Sequence, residues 1–128
     1  MIVLTSTGDY MLLSTYYQLL FTIEEGLCYL VEADQDFAKT EGERIFHDLI
    51  YAFFQIDSSH ALLLSIMKTS CAESSIRSFD RVFRDFDSLI DCSFPSGEFQ
   101  NYLQNRFLPL YRSWMDAIHQ CMKPFVIH

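Results

Sequence analysis

The stretch EGERIFHDLIYAFFQIDSSHALLLSIMKT, residues 41–69, decides how this chain folds. Ile45, Leu49, Ala52, Ile56, Ser59, Leu63 and Ile66 recur at alternating steps of four and three, which is the period of one helical face. A second stripe adjoins the first: Phe46, Ile50, Phe53, His60, Leu64 and Met67. Together they make an apolar face wider than a coiled-coil seam needs, so this helix is expected to touch more than one neighbour or a second subunit. Thr40 with Glu43 reads as a capping box and sets the start of the helix near Glu41, inside a segment running roughly from Asp36 to Thr69. The polar run Asp57–Ser59 leaves the continuity of the helix open.

Working outward, the same period recurs on both sides. A first segment runs roughly from Asp9, a plausible N-cap, to Glu32, with Leu13, Tyr17, Leu20, Leu27 and Val31 on one face. Gly26 interrupts it, costs up to about 1 kcal/mol of helix propensity relative to alanine, and permits close approach of a neighbour. A third segment, roughly Glu73 to Asp91, repeats the step in Ile76, Phe79, Phe83, Phe86 and Ile90. Phe94-Pro95-Ser96-Gly97 then breaks the pattern, with Ser96 as the next N-cap. The fourth segment, roughly Gly97 to Lys123, turns Phe99, Leu103, Leu110, Trp114, Ala117 and Cys121 inward. Pro109 predicts a kink near Asn105–Pro109, because proline removes a backbone donor and clashes with the carbonyl four residues back. Pro124 is expected to end that helix and leave Phe125–His128 as a short apolar tail.

Four amphipathic segments with short links predict an all-α, antiparallel up-down-up-down four-helix bundle, with residues 1–128 forming a single helical-bundle domain. No Asn-Gly or Asp-Gly hairpin signal, internal repeat or low-complexity tract competes with that reading. Only four glycines and three prolines are present, as suits long helices.

The chain is acidic, with a formal net charge of −8. That sign repels phosphate backbones and anionic lipid surfaces, and the densest basic stretch, Arg77, Arg81 and Arg84, is interleaved with Asp80, Asp85 and Asp87. Neither nucleic acid nor a membrane is expected as a partner. The opening MIVLTSTGDY lacks the basic region of a signal peptide, and no window approaches 18 uninterrupted apolar residues. Cys28, Cys71, Cys92 and Cys121 are widely spaced in apolar surroundings, which predicts reduced, mostly buried thiols in a cytoplasmic protein.

Two Asp-x-x-His matches, Asp57 to His60 and Asp116 to His119, resemble half of the ligand set of a di-metal carboxylate bundle. Those sites use glutamate, and Asp116 and His119 point away from the stripe centred on Trp114, so both pairs are expected to be surface contacts or caps, with Asp116 and His119 in water. His60 lies within an apolar stripe and reads first as a hydrogen-bonded core histidine. Asp57 with His60 as a lone metal or small-ligand contact is the alternative. Glu43 and His47 read as a surface pair. No serine sits on a nucleophile elbow and no glycine-rich loop is present, so the residues point away from an enzyme, and no cofactor is expected.

The strongest feature is the ring content: twelve phenylalanines, seven tyrosines and one tryptophan, 16% of the chain. Rings fall on more than one side of the second segment, and exposed aromatic patches commonly mark interfaces. The expectation is protein–protein association, as a homodimer through Phe46, Ile50, Phe53 and Phe54. A further alternative is a chaperone-like or regulatory bundle whose groove, shaped by the Pro109 kink and the tail Phe125–Ile127, receives a partner helix. Small flagellar-type export chaperones are similar in size and helicity, a likeness shared by many bundles that carries no function with it.

Overall fold

The computed structural model describes residues 7–33 and 41–126. Helix α1 spans Thr7–Ala33, α2 Gly42–Met67 and α3 Ser70–Ile90. The fourth rod is α4, Gly97–Tyr102, a π-helical segment Leu103–Phe107, and α5, Leu108–Val126. The chain is an all-α four-helix bundle: α1 packs on α2 and α5, and α3 packs on the same two helices from the other side. Among the described residues there is no strand.

The buried faces of α1 and α2 follow a strict alternation of three and four. On α1 the inward residues are Leu13, Tyr16, Leu20, Ile23, Leu27 and Leu30; on α2 they are Phe46, Leu49, Phe53, Ile56, His60, Leu63 and Met67. A repeat of 3.5 residues keeps one seam on the bundle axis when the helices coil gently round each other. The α2 seam therefore draws from both stripes seen in the sequence, and α2 runs unbroken through Asp57–Ser59. On α1, Tyr16 and Leu30 hold the core positions expected of Tyr17 and Val31, which are half-buried.

The helix ends are made by local hydrogen bonds. Lys68 adopts a left-handed conformation (φ 47°) and its N–H reaches the Leu64 carbonyl, closing α2. Thr69 then caps α3, its side-chain oxygen accepting from the Ala72 N–H, so a two-residue link turns the chain back. Ser96 caps α4 by accepting from Phe99, as its place after Pro95 predicted. Glu41 stands at the α2 N-cap without a side-chain capping bond, and its N–H donates to the Tyr29 hydroxyl at 3.0 Å. Thr40, the expected cap, lies outside the described residues. Asp9 sits inside the first turn of α1 rather than before it.

Around Pro109, where a kink is expected, the helix widens: the Leu108 N–H bonds the Leu103 carbonyl five residues back. Two expectations are corrected. Pro124 does not end the fourth rod, which continues to Val126, and Phe125 is buried in the core instead of forming a tail. Cys71 and Cys121 are joined in a disulfide, their Cα atoms 5.5 Å apart, while Cys28 and Cys92 are free. The first turn of α3 lies beside the end of α5, a juxtaposition that a separation of 50 residues hides.

Candidate functional site

The bundle interior is dominated by rings whose polar tips are tied down. Tyr111 is fully buried and its hydroxyl donates to the Leu20 carbonyl at 2.7 Å; Trp114 Nε1 donates to the Ser75 carbonyl at 2.8 Å. Gln100 donates from Nε2 to the Leu30 carbonyl at 2.9 Å, in the last turn of α1. A buried polar group left unpaired costs more than a paired one gains, so these bonds fix how the fourth rod registers against α1 and α3.

His60 belongs to this interior. Its Nε2 lies 2.7 Å from the Tyr16 hydroxyl, and its ring meets Phe79 edge-on at 4.7 Å and Trp114 at 6.2 Å. Burial lowers the imidazole pKa to about 4, and burial pushes the Tyr16 hydroxyl well above its ordinary value. Asp57 stands on the exposed side of α2, so the structure does not bring the two ends of this Asp-x-x-His match together. Among the described residues no group of three or more His, Cys, Asp or Glu side chains converges to hold a metal ion.

The second match is corrected more sharply. Asp116 is exposed, but His119 is buried, with its ring between Tyr17 and Phe21 at 4.3 Å from each. Its pKa is lowered, chiefly by burial, and Nε2 has no hydrogen-bond partner among the described residues. The inward face of α5 is Tyr111, Trp114, Met115, Ile118, His119 and Met122, one position round from the stripe expected through Leu110 and Ala117. His47 is exposed, as expected of a surface position.

The residues expected to form a docking surface divide between core and solvent. Phe53 is fully buried against Phe86, Phe107 and Tyr111; Phe46 is buried and stacked on Phe94 at 4.1 Å. Neither is available to a second molecule, because the 3.5-residue seam of α2 passes through both. Ile50 is half-buried, while Phe54 is 55% exposed, with one edge against Phe83. Tyr51 and Leu62, 67% and 54% exposed, share the outward face of α2 with Phe54. Gln55, Ser58, Ala61 and Ser65 lie between them, so the outer stripe from Tyr51 to Ser65 carries no charge, with Asp57 at its edge. By length and composition α2 is apolar enough to cross a membrane, and only 28% of its most apolar window is buried in the bundle. The apolarity of α2 exceeds what the core uses.

A second surface feature lies where α1 meets α2. Gly26 lets the helices close: a Cβ there would stand 3.0 Å from Leu49 Cδ2. Beside this contact is an open cavity of about 340 Å³ whose floor includes Ile23, Gly26, Ile45, Leu49 and Ala52. Glu25 and Asp48 stand on its rim with Thr22 and Tyr29.

Comparison with known proteins locates the chain. It is similar to the Bacillus subtilis (strain 168) protein titled "Uncharacterized protein YvzG", 58% identical over 123 residues that cover 96% of this chain and 98% of that one. No solved structure matches. Residues 11–117, spanning the bundle from α1 into α5, match the family model described as "Domain of unknown function (DUF8042)", and the chain belongs to that family.

Proposed function

We propose that this protein is a non-enzymatic helical bundle that acts by association, as a homodimer formed through the outward face of α2. The observation that carries the reading is the uncharged stripe bearing Tyr51, Phe54 and Leu62, each more than half exposed. A chain of net charge −8 repels a second copy of itself over most of its surface, and this stripe is where two copies approach at least electrostatic cost. The stripe is also self-complementary. With two α2 helices antiparallel about Ser58, Phe54 and the second copy's Leu62 fall at one level, since each lies four residues, about 6 Å, from the centre. Tyr51 falls level with the second copy's Ser65, so a large ring meets a small side chain. Isologous pairing of this kind is the commonest route to an oligomer.

Light scattering behind size exclusion, over a protein concentration series, tests the reading. The expected mass is twice the 15.0 kDa of the chain, falling to that of the monomer in a Phe54→Asp, Leu62→Asp variant with unchanged circular dichroism. A wild-type monomer at every concentration, or recovery with lipid vesicles in place of self-association, overturns it.

A further inference from the structure

The groove between α1 and α2 has a use that the dimer does not require. Its floor is apolar, it runs between two neighbouring helices, and its rim is acidic. Within Thr7–Ala33, α1 carries Asp9, Glu24, Glu25 and Glu32 and no lysine or arginine. On the α2 side Asp48 lies 3.5 Å from Arg44, which also pairs with Glu41. Among the described residues no ion pair joins Glu25 to a cation of this chain. The far side of the bundle is different: on α3 Arg77 pairs with Glu73 and Arg84 with Asp80, so positive and negative charges alternate. The groove thus combines an apolar floor with two carboxylates, Glu25 and Asp48, at its rim.

We infer that this groove docks a basic amphipathic helix of a partner protein, seating its apolar side chains over Ile23, Gly26 and Ala52 and its lysines or arginines against Glu25 and Asp48. Long basic side chains lay their methylenes on apolar surface while their charged ends stay at the rim, and a helix laid in a groove is a recurrent mode of recognition. A second copy of this chain does not fit the description, because its α3 interleaves Arg77, Arg81 and Arg84 with acidic residues and the apolar face of its fourth rod is packed inside its own bundle. The assignment is independent of the dimer: the outer stripe of α2 lies to one side of the groove.

The test is a nuclear magnetic resonance titration of the ¹⁵N-labelled protein with a synthetic helical peptide of leucine and lysine, beside a matched peptide of leucine and glutamate. The leucine–lysine peptide is expected to shift the amides of Thr22, Gly26 and Ala52, and the leucine–glutamate peptide to leave them in place. Ala52→Trp fills the groove and is expected to abolish binding, while Ala52→Ser, which leaves it open, retains it. Glu25→Lys with Asp48→Lys is expected to weaken binding about tenfold or more. The Phe54→Asp, Leu62→Asp variant binds as the wild type does, which separates the groove from the dimer. Absence of binding, shifts that map to another face, or binding unchanged by Ala52→Trp overturns the inference.

Discussion

The Tyr16 hydroxyl of α1 and Nε2 of His60 in α2 lie 2.7 Å apart inside the bundle, so the central polar contact between the first two helices joins two neutral groups. Among the described residues no ion pair reaches His60, and the rings of Tyr16, Phe79 and Trp114 lie against it. Burial among these rings works to exclude a proton from the imidazole.

That exclusion makes the bundle sensitive to acid. The folded pKa of His60, about 4, lies below the ordinary 6.5, so between those values the unfolded chain binds the extra proton. Stability is complete above pH 6.5 and falls as the pH drops toward 4, by up to about 3 kcal/mol from this group. Burial of His119 shifts its pKa in the same direction. Urea midpoints measured from pH 7 to pH 4 are expected to fall steadily, and His60→Gln to flatten part of that slope. An unchanged slope in His60→Gln rules out His60 as its source.

Gly26 is a packing residue between α1 and α2. A methyl at this position would lie 3.0 Å from Leu49 Cδ2 and 3.3 Å from its Cγ, and Leu49 borders the open groove into which its side chain can swing. Gly26→Ala gains helix propensity of about 1 kcal/mol and spends a similar amount moving Leu49, so its denaturant midpoint is expected near that of the wild type. Gly26→Val adds bulk that the swing does not clear and is expected to cost about 1–3 kcal/mol. Equal midpoints for alanine and valine would show that the helices are not held close by this glycine.

The disulfide ties the start of α3 to the end of α5 across 50 residues of sequence. Thiol titration of protein purified without reductant and then denatured is expected to find two free thiols, Cys28 and Cys92. Reduction is expected to lower unfolding stability by about 2–4 kcal/mol, the range for a cross-link closing a long loop. Four thiols in the unreduced protein contradict the pairing.

The four helices were legible because each carries apolar residues at helical spacing and because the break at Phe94–Gly97 is written in Pro95 and Ser96. The rotation of each helix about its own axis was less legible. In α2 nearly every position from Ile45 to Phe54 is apolar or aromatic, so periodicity alone assigned Phe46 and Phe53 to a second surface, when the seam through Phe46, Leu49, Phe53 and Ile56 was equally available in the sequence. Tyr16 and Tyr17 pose the same choice on α1. One helical phase carried along the whole fourth rod puts His119 in water, and the widened turn at Leu103–Phe107 resets that phase. The Cys71–Cys121 pairing depends on which helices are neighbours, and residue spacing carries no trace of it.

A signal for the widened turn was nevertheless present, and it yields the last prediction. Phe99, Leu103, Phe107 and Tyr111 are all fully buried and stand at three successive steps of four. A regular helix advances each such step about 40° round its axis, so three steps would carry Tyr111 off the face that holds Phe99. The π-helical segment absorbs this drift by adding a residue to one turn, just before Pro109, which has no N–H to give a regular turn. Deleting the exposed Gln104 restores alternating steps of four, three, four and three through Trp114, a pattern that a regular α-helix buries on one face. The deletion also returns Pro109 to a regular turn, where proline costs about 3 kcal/mol. Removal of Gln104 is therefore expected to destabilise the wild type by about that amount and the Pro109→Ala background by less than about 1 kcal/mol. Chemical denaturation of the four proteins in this cycle measures the coupling; a deletion equally costly in both backgrounds would mean that the wide turn is held by its neighbours and not by the proline.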